Sequence, residues 1–164
     1  MEKIKRIDGE KWRPVAEYPR YMVSSEGRVL SKKGKVPLLL KLHPNDKGYM
    51  RVMISYKGKC LKRRVHRLVL KAFIGDCPDG YECGHLDGDP ANNRLDNLKW
   101  VSQLENDRSK DKHGTSNRKL NVEQVLEIRE RAKKGETAFK MAKDYPVSDR
   151  TINGVIKRDH WKHV

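Results

Sequence analysis

Residues 83–107 read CGHLDGDPANNRLDNLKWVSQLEND, and this stretch decides how the middle of the chain folds. Leu98 and Trp100 alternate with polar neighbours, which reads as a half-buried strand. Ser102 followed three residues later by Glu105 has the form of a capping box, the sequence signature of a helix start. Between Gly84 and Leu98 lie Asp87, Gly88, Asp89, Pro90, Asn92 and Asn93, all turn formers. Residues 81–108 are therefore predicted to run strand, loop, strand, helix. The same stretch holds the residues best suited to chemistry: His85, Asn97 and Asn106, spaced twelve and nine positions apart.

The flanks are built differently. The whole chain has 164 residues and a formal net charge of +15. Residues 1–76 hold 20 Lys and Arg against 7 Asp and Glu, residues 77–114 hold 5 against 8, and residues 115–164 hold 12 against 7. An acidic, carboxamide-rich middle thus sits between two basic arms. Basic arms neutralise phosphates and release condensed counterions, while carboxylates and carboxamides suit a hard divalent cation. Only 36% of residues are hydrophobic, which favours small modules in series over one large core. No apolar run approaches the ~18 residues of a membrane span, and the charged N-terminus lacks the apolar stretch of a secretory signal. Three cysteines without a CxxC pair argue against a disulfide framework and a structural zinc site. The expected setting is a reducing cytoplasm. Single-stranded RNA readers stack bases on aromatic residues. Here aromatics are only 7% of the chain and sit at apparent core positions, which argues against that class.

Working outward, residues 12–76 read as short strands and turns. Tyr21 to Val23 and Arg28 to Leu30 flank Ser24, Ser25, Glu26 and Gly27, a hairpin connection. Tyr49 to Ile54 and Cys60 to Val65 flank a second hairpin. His66 to Phe73 has apolar residues at 68, 69, 72 and 73, a short helix facing a core. Residues 109–119 are polar and aperiodic and read as a linker. Residues 120–164 read as three helices capped by Asn121, Thr137 and Ser148, with Pro146 ending the second. Short helix, turn, short helix is the helix-turn-helix pattern. The predicted domains are a β-rich unit over 1–76, a core over 77–108, the linker over 109–119 and a helical module over 120–164.

The central segment resembles the HNH nuclease family of homing and phage endonucleases. His85, Asn97 and Asn106 fall at the family's positions, and the DG, NN, NL-x-W and EN elements match as well. The resemblance implies an α+β chain whose centre is a ββα-metal (His-Me) core. It also implies a metal-dependent DNA endonuclease, acting in the cytoplasm of a bacterial host if phage-encoded. Trp12, Tyr21, Val23, Ser24, Gly27, Arg28, Val29 and Val65 to Leu68 are similar to a modular motif found beside such nucleases. The C-terminal part resembles the helix-turn-helix modules of recombinases and phage nucleases.

The residue types fit that chemistry. A neutral imidazole can take a proton near pH 7, so His85 is the candidate general base. The resemblance implies that the Asn97 amide carbonyl accepts the other ring N–H and aims the imidazole, and that Asn106 ligates the metal. Mg²⁺, with Mn²⁺ as a substitute, is expected because it prefers oxygen ligands. Many family members carry an Asp or His immediately before the catalytic His. This chain has Gly84 there, so Asp87 or Asp89 is an alternative ligand, and a DNA-binding regulator with a decayed core is the alternative function. The partner is expected to be double-stranded DNA, held by a monomer that nicks one strand. Candidate DNA contacts are Arg28, Lys32, Lys33 and Lys35 around an exposed turn, and Lys62, Arg63 and Arg64 in the second hairpin. In the last helix Arg150, Asn153 and Lys157 share one face, where Arg and Asn can read bases. Lys157 and Arg158 are expected to hold phosphates.

Overall fold

The computed structural model describes residues 7–114, 116 and 118–164. Residues 1–6 of the expected N-terminal unit, and 115 and 117 of the expected linker, lie outside the described residues. The fold is mixed α/β. The chain forms two compact units, Met1–Trp100 and Val101–Val164. Among the described residues no helix is long and apolar enough to cross a membrane.

In the first unit, β1 (Trp12–Val15), β2 (Tyr18–Ser24), β3 (Val29–Ser31) and β4 (Leu38–Leu39) make one antiparallel sheet in chain order. A second sheet holds β5 (His43–Pro44), β6 (Met50–Tyr56) and β7 (Lys59–Arg64). Helix α1 (Val65–Phe73) follows β7 directly. β8 (Tyr81–His85) and β9 (Leu98–Ser102) form a two-stranded sheet, and a 3₁₀ turn over Leu95–Asn97 leads into β9.

Side-chain periodicity explains these elements. β6 buries Val52 and Ile54 and exposes Met53 and Ser55, the period of two that a one-sided strand requires. α1 buries Val65, Leu68 and Val69, positions i, i+3 and i+4 on one helix face. These join Val15, Tyr18, Tyr21, Val23, Val29, Leu70 and Leu98 in one core. Fully burying such an aliphatic side chain contributes about 1.5–3 kcal/mol.

Two turns of this unit press on the loop that follows β8. Gly27 (φ +75°) ends the β2–β3 turn, where the Ser24 hydroxyl accepts from the Glu26 and Arg28 amides. A Cβ on Gly27 would stand 2.8 Å from both the Cβ and the carbonyl oxygen of Asn93. Beside it the Leu95 amide donates to the Ser25 carbonyl (2.8 Å), and Arg94 pairs with Glu26 (2.6 Å). The second turn is built on Asn45, whose Oδ1 accepts from the Lys47 and Tyr49 amides. Its Gly48 (φ +80°) lies against Pro90, 2.9 Å from where a Cβ would be.

The second unit is helical. α2 (Gln103–Lys112) starts in the expected capping box, with the Ser102 hydroxyl accepting from the Glu105 amide and the Glu105 carboxylate accepting from the Ser102 amide. It runs to Lys112, so residues 109–112 are helical where a linker is expected. Lys110 and Lys112 in the last turn suit the negative end of the helix dipole, and no glycine stops the chain until Gly114 (φ +64°). α3 (Val122–Lys133), α4 (Ala138–Met141) and α5 (Asp149–Ile156) are capped by Asn121, Thr137 and Ser148. α4 is only four residues long, shorter than its apolar spacing predicts. Pro146 disfavours helical backbone at Tyr145, and the chain reaches that buried residue through turns.

Leu120, Val125, Ile128, Ala138, Met141, Tyr145, Ile152 and Val155 form this unit's core. Gly154 lets the His160 ring come within 2.5 Å of where a Cβ would be. Two buried charges tie the unit together. The Asp107 carboxylate accepts from Arg118 (2.5 Å) and meets His163 Nε2 (2.6 Å). The Arg129 guanidinium donates to the carbonyls of Val155, His160, Trp161 and Val164.

Two glycines with the same backbone requirement predict different costs. Gly58 (φ +73°) turns the β6–β7 hairpin in open space, so Gly58→Ala should lose about 1–2 kcal/mol of stability from the left-handed backbone alone. Gly27→Ala adds a clash with the Asn93 backbone and should lose more. Equilibrium urea unfolding of the two variants checks the order.

Candidate active site

His85 closes β8, 8% exposed. Its ring is enclosed by two others. His66, on α1 and 2% exposed, stands edge-on to it, with ring centroids 5.2 Å apart and planes at 88°. Tyr49 meets both, 5.3 Å from His66 and 5.8 Å from His85. The Asn45 turn sets the Tyr49 backbone, and the Arg64 guanidinium lies 5.7 Å from the Tyr49 ring centre. His85 Nε2, His66 Nδ1 and Asn93 Oδ1 are buried without a hydrogen-bond partner.

Burial is the main electrostatic influence on both imidazoles. It pushes the His85 pKa below the ordinary histidine value, against the Asn93 side chain and the Asp87 and Asp89 carboxylates, which favour the protonated form. His66 falls further, to about 3, through burial first and then the nearby His85, Arg64 and Arg67. A neutral His85 has a lone pair free to accept a proton. Cys83, two residues before it, is pushed up to about 12 by burial and is no thiolate nucleophile.

The loop after His85 is organised by Asn97. Its Oδ1 accepts from the Asp87 amide (3.0 Å), and its Nδ2 donates to the Asp87 carboxylate (2.9 Å) and the Asn92 carbonyl (2.9 Å). Its own carbonyl accepts from the Leu86 amide (2.9 Å). The sequence led us to expect this amide against the imidazole. It is taken up by the loop instead, because the 85–97 turn carries backbone groups and a carboxylate that need partners. Asn93, whose Nδ2 donates to the Ala91 carbonyl (2.8 Å), is the carboxamide whose side chain favours the protonated form of His85. Burial alone would raise the Asp87 pKa, but bonds from Asn92, Asn97 and the Asp89 amide, together with His85, hold it below the usual carboxylate range. Asp87 and Asp89 place carboxylate oxygens on the loop that leaves His85, donors of the type a hard cation takes. Among the described residues no three His, Cys, Asp or Glu side chains gather into a metal cage.

The other expected residues fall in three groups. Lys32, Lys33, Lys35, Lys62 and Arg64 are exposed in the first unit. Arg28 and Arg63 differ from expectation. Arg28 is half-buried, bonded to the Glu10 carboxylate (Nε to Oε1 2.7 Å) and stacked on Trp12, because a guanidinium beside a nearly buried carboxylate is drawn into a bidentate pair. Arg63 bonds the Tyr18 hydroxyl at 2.7 Å. The third group lies in the second unit. Asn106 is half-buried in the first turns of α2; Arg150, Asn153, Lys157 and Arg158 are exposed, with Lys157 capping the C-terminus of α5. The sequence reading missed Tyr49 and Asn93 as neighbours of His85. The turn formers at Asn45 and Gly48 are the only local signal for Tyr49, and Asn93 is masked by an identical neighbour.

Comparison with known proteins is consistent with this geometry. Residues 63–108 match the HNH endonuclease family and residues 10–67 match the NUMOD4 motif. The DNA endonuclease I-HmuI of Bacillus phage SP01 is 35% identical over 118 residues, covering 71% of this chain and 64% of that protein. The H-N-H endonuclease F-TflII of Escherichia phage T5 is 33% identical over 91 residues, 54% of this chain and 46% of the relative. The chain thus spans less than two thirds of the length of these relatives. A solved structure titled "DNA binding and cleavage by the HNH homing endonuclease I-HmuI" superimposes with a TM-score of 0.57 at 27% identity, covering 92% of this chain and 91% of that one.

The buried imidazoles make stability depend on pH. Folded His66 resists its proton down to about 3, whereas the unfolded chain takes it up near 6.5. Between those values the unfolded state binds more protons, so stability is full above the unfolded value and falls as the pH drops, by at most about 1.4 kcal/mol per pH unit for this group. Urea unfolding from pH 7.5 to 4.5 should show the fall, and His66→Leu should flatten it.

Proposed function

We propose that this chain, whose residues 63–108 are an HNH endonuclease segment following a NUMOD4 motif, is a metal-dependent endonuclease that nicks double-stranded DNA as a monomer. The observation that carries the reading is His85: a buried imidazole with a depressed pKa, an unpaired Nε2 and an acidic loop beside it. In this role His85 Nε2 takes the proton of the water that attacks phosphorus, and a P–O bond of the backbone breaks. Asn97 keeps the Asp87 loop in shape around that event. Asn106, or Asp87 or Asp89 from the loop, would hold a divalent cation, Mg²⁺ by its preference for oxygen. When bound, the cation would stabilise the charge that develops on the phosphate oxygens.

The division of labour follows the charge. Lys32, Lys33, Lys35, Lys62 and Arg64 offer exposed cations for DNA phosphates, with Arg63 held back by Tyr18. Arg28 is left out of this surface, since its charge is spent on Glu10. α4 and α5 serve as a helix-turn-helix. Arg150 and Asn153 would face base edges from α5, while Lys157 and Arg158 would meet phosphates. The solved structure similar to this chain concerns DNA binding and cleavage by I-HmuI, and that supports the partner assigned here.

Gly84 favours a second reading. Without a side chain before His85, the core could be a remnant within a DNA-binding regulator. Plasmid nicking in Mg²⁺ or Mn²⁺ separates the two, since a regulator leaves the plasmid supercoiled. For the endonuclease, His85→Ala should lower the nicking rate by roughly 10²–10⁴-fold with DNA affinity nearly unchanged; full activity would remove His85 from the role. Arg150→Ala should relax preference at one base pair, worth about 1–3 kcal/mol. Lys157→Ala should weaken all sequences alike and flatten the log–log salt slope by about 0.9. Binding-site selection at two salt concentrations reads both.

A further inference from the structure

Beside α1 and the end of β7 lies a cavity of about 630 Å³, walled entirely by the first unit. Lys62, Arg63 and Arg64 enter it from β7, and Arg67 and Lys71, one helical turn apart, from α1. Glu17 and Asp76 are its two carboxylates, so five cations and two carboxylates leave three positive charges in excess. Both carboxylates face one cation, since the Lys71 ammonium meets Glu17 at 2.5 Å and Asp76 at 2.9 Å. Among the described residues Lys62, Arg63, Arg64 and Arg67 form no ion pair. Arg63 donates to the Tyr18 hydroxyl and the Lys62 carbonyl, neither of which offsets its charge. Like charges gathered in a concave wall repel one another and focus a field that draws an anion.

Charge is not the whole character of this wall. Trp100 from β9 and Leu68 from α1 give it an apolar part. The Trp100 ring is fixed by its Nε1, which donates to the Gly75 carbonyl at 3.2 Å. A run of phosphates along a surface needs no such hollow. A phosphate joined to a flat ring does, and every base has a face that stacks on an aromatic side chain. Arg64 links the cavity to His85: its guanidinium stands 5.7 Å from the Tyr49 ring, and that ring meets His85 at 5.8 Å.

We propose that this cavity is a binding site for one unstacked nucleotide of the DNA strand, its phosphate held by Arg67 with Lys62 and Arg64 and its base laid against Trp100 and Leu68. The inference rests on the DNA-cleaving reading and deepens it, since Lys62 and Arg64 gain a defined ligand and Arg67 and Trp100 join them. Cys77, exposed in the wall, reports occupancy, while Cys60, also exposed, lies outside the cavity.

The test uses the full chain without divalent metal, so that no strand is cut. Alkylation of Cys77 and Cys60 is followed by peptide mass mapping with a short oligothymidylate, its abasic analogue, thymidine monophosphate or inorganic phosphate present. The oligothymidylate should slow alkylation of Cys77 severalfold and leave Cys60 as it was. Thymidine monophosphate should do the same at higher concentration, and inorganic phosphate should not match it. The abasic strand should bind about fivefold or more weakly, the loss of a stacked base. Arg67→Ala should weaken oligothymidylate binding about tenfold, as for a charged hydrogen-bond donor. Lys59→Ala removes an equal charge from β7 outside the cavity and should change it by less than about twofold. Equal affinity for the abasic strand, equal losses in Arg67→Ala and Lys59→Ala, or equal protection of both cysteines would each overturn the proposal and leave a diffuse phosphate surface. Tighter binding of the free monophosphate than of the strand would overturn the assignment to DNA. The cysteine result in the parent protein stands even if Arg67→Ala does not fold. If the chain binds no duplex either, the DNA reading itself fails; if it binds and nicks duplex while Cys77 stays unprotected, only this site fails.

Discussion

The close approach of two glycine turns to one loop is the constraint on which the rest of the first unit depends. Gly27 and Gly48 stand where any side chain would meet Asn93 or Pro90, and both hold left-handed backbone that other residues resist. Their contacts pin the segment between β8 and β9 from outside, while Asn97 ties it from within. His85 sits at the head of that segment and Tyr49 at the foot of the second turn. The imidazole therefore inherits its surroundings from sequence up to fifty-eight positions earlier, and residues 63–108 do not by themselves supply the walls of its pocket.

That arrangement turns burial into chemistry. An exposed histidine would be partly protonated near neutrality and would compete poorly as a base. Enclosing it between Tyr49 and His66 removes water and favours the neutral form, while Asp87, Asp89 and Asn93 temper the effect. Of the nearby cations, Arg28 is neutralised by Glu10 and Arg94 by Glu26 and Asp96, while Arg64 and Arg67 stand near enough to His66 to add to its low proton affinity.

Much of this was legible in the sequence where the signal is local. The hairpins around Gly27 and Gly58, the capping box at Ser102 and Glu105, and the caps at Asn121, Thr137 and Ser148 each depend on residues within a few positions of one another. The spacing that singles out His85 is longer, twelve and nine positions on to Asn97 and Asn106. What escaped depends on partners far apart in the chain. The fates of Arg28, Asn93 and Asn97 turn on whether Glu10, Gly27 and the Asp87 loop arrive beside them, and no periodicity reports that. The end of α2 escaped for a different reason. A polar helix without an apolar stripe looks like a linker, and its buried anchor is a carboxylate, Asp107, rather than a hydrophobic residue.

Strand β7 carries a further consequence. It is the outer strand of its sheet, and its exposed side chains include Lys59, Lys62 and Arg64. An unprotected outer strand invites another copy to add to it, and charge along the edge is a common defence. Lys62 and Arg64, proposed above to meet phosphate, thus also place charge along an edge where another copy could otherwise pair. Stripping them to weaken nucleic-acid binding would expose a template for self-association, so such variants should be judged by their colloidal behaviour as well as by their affinity.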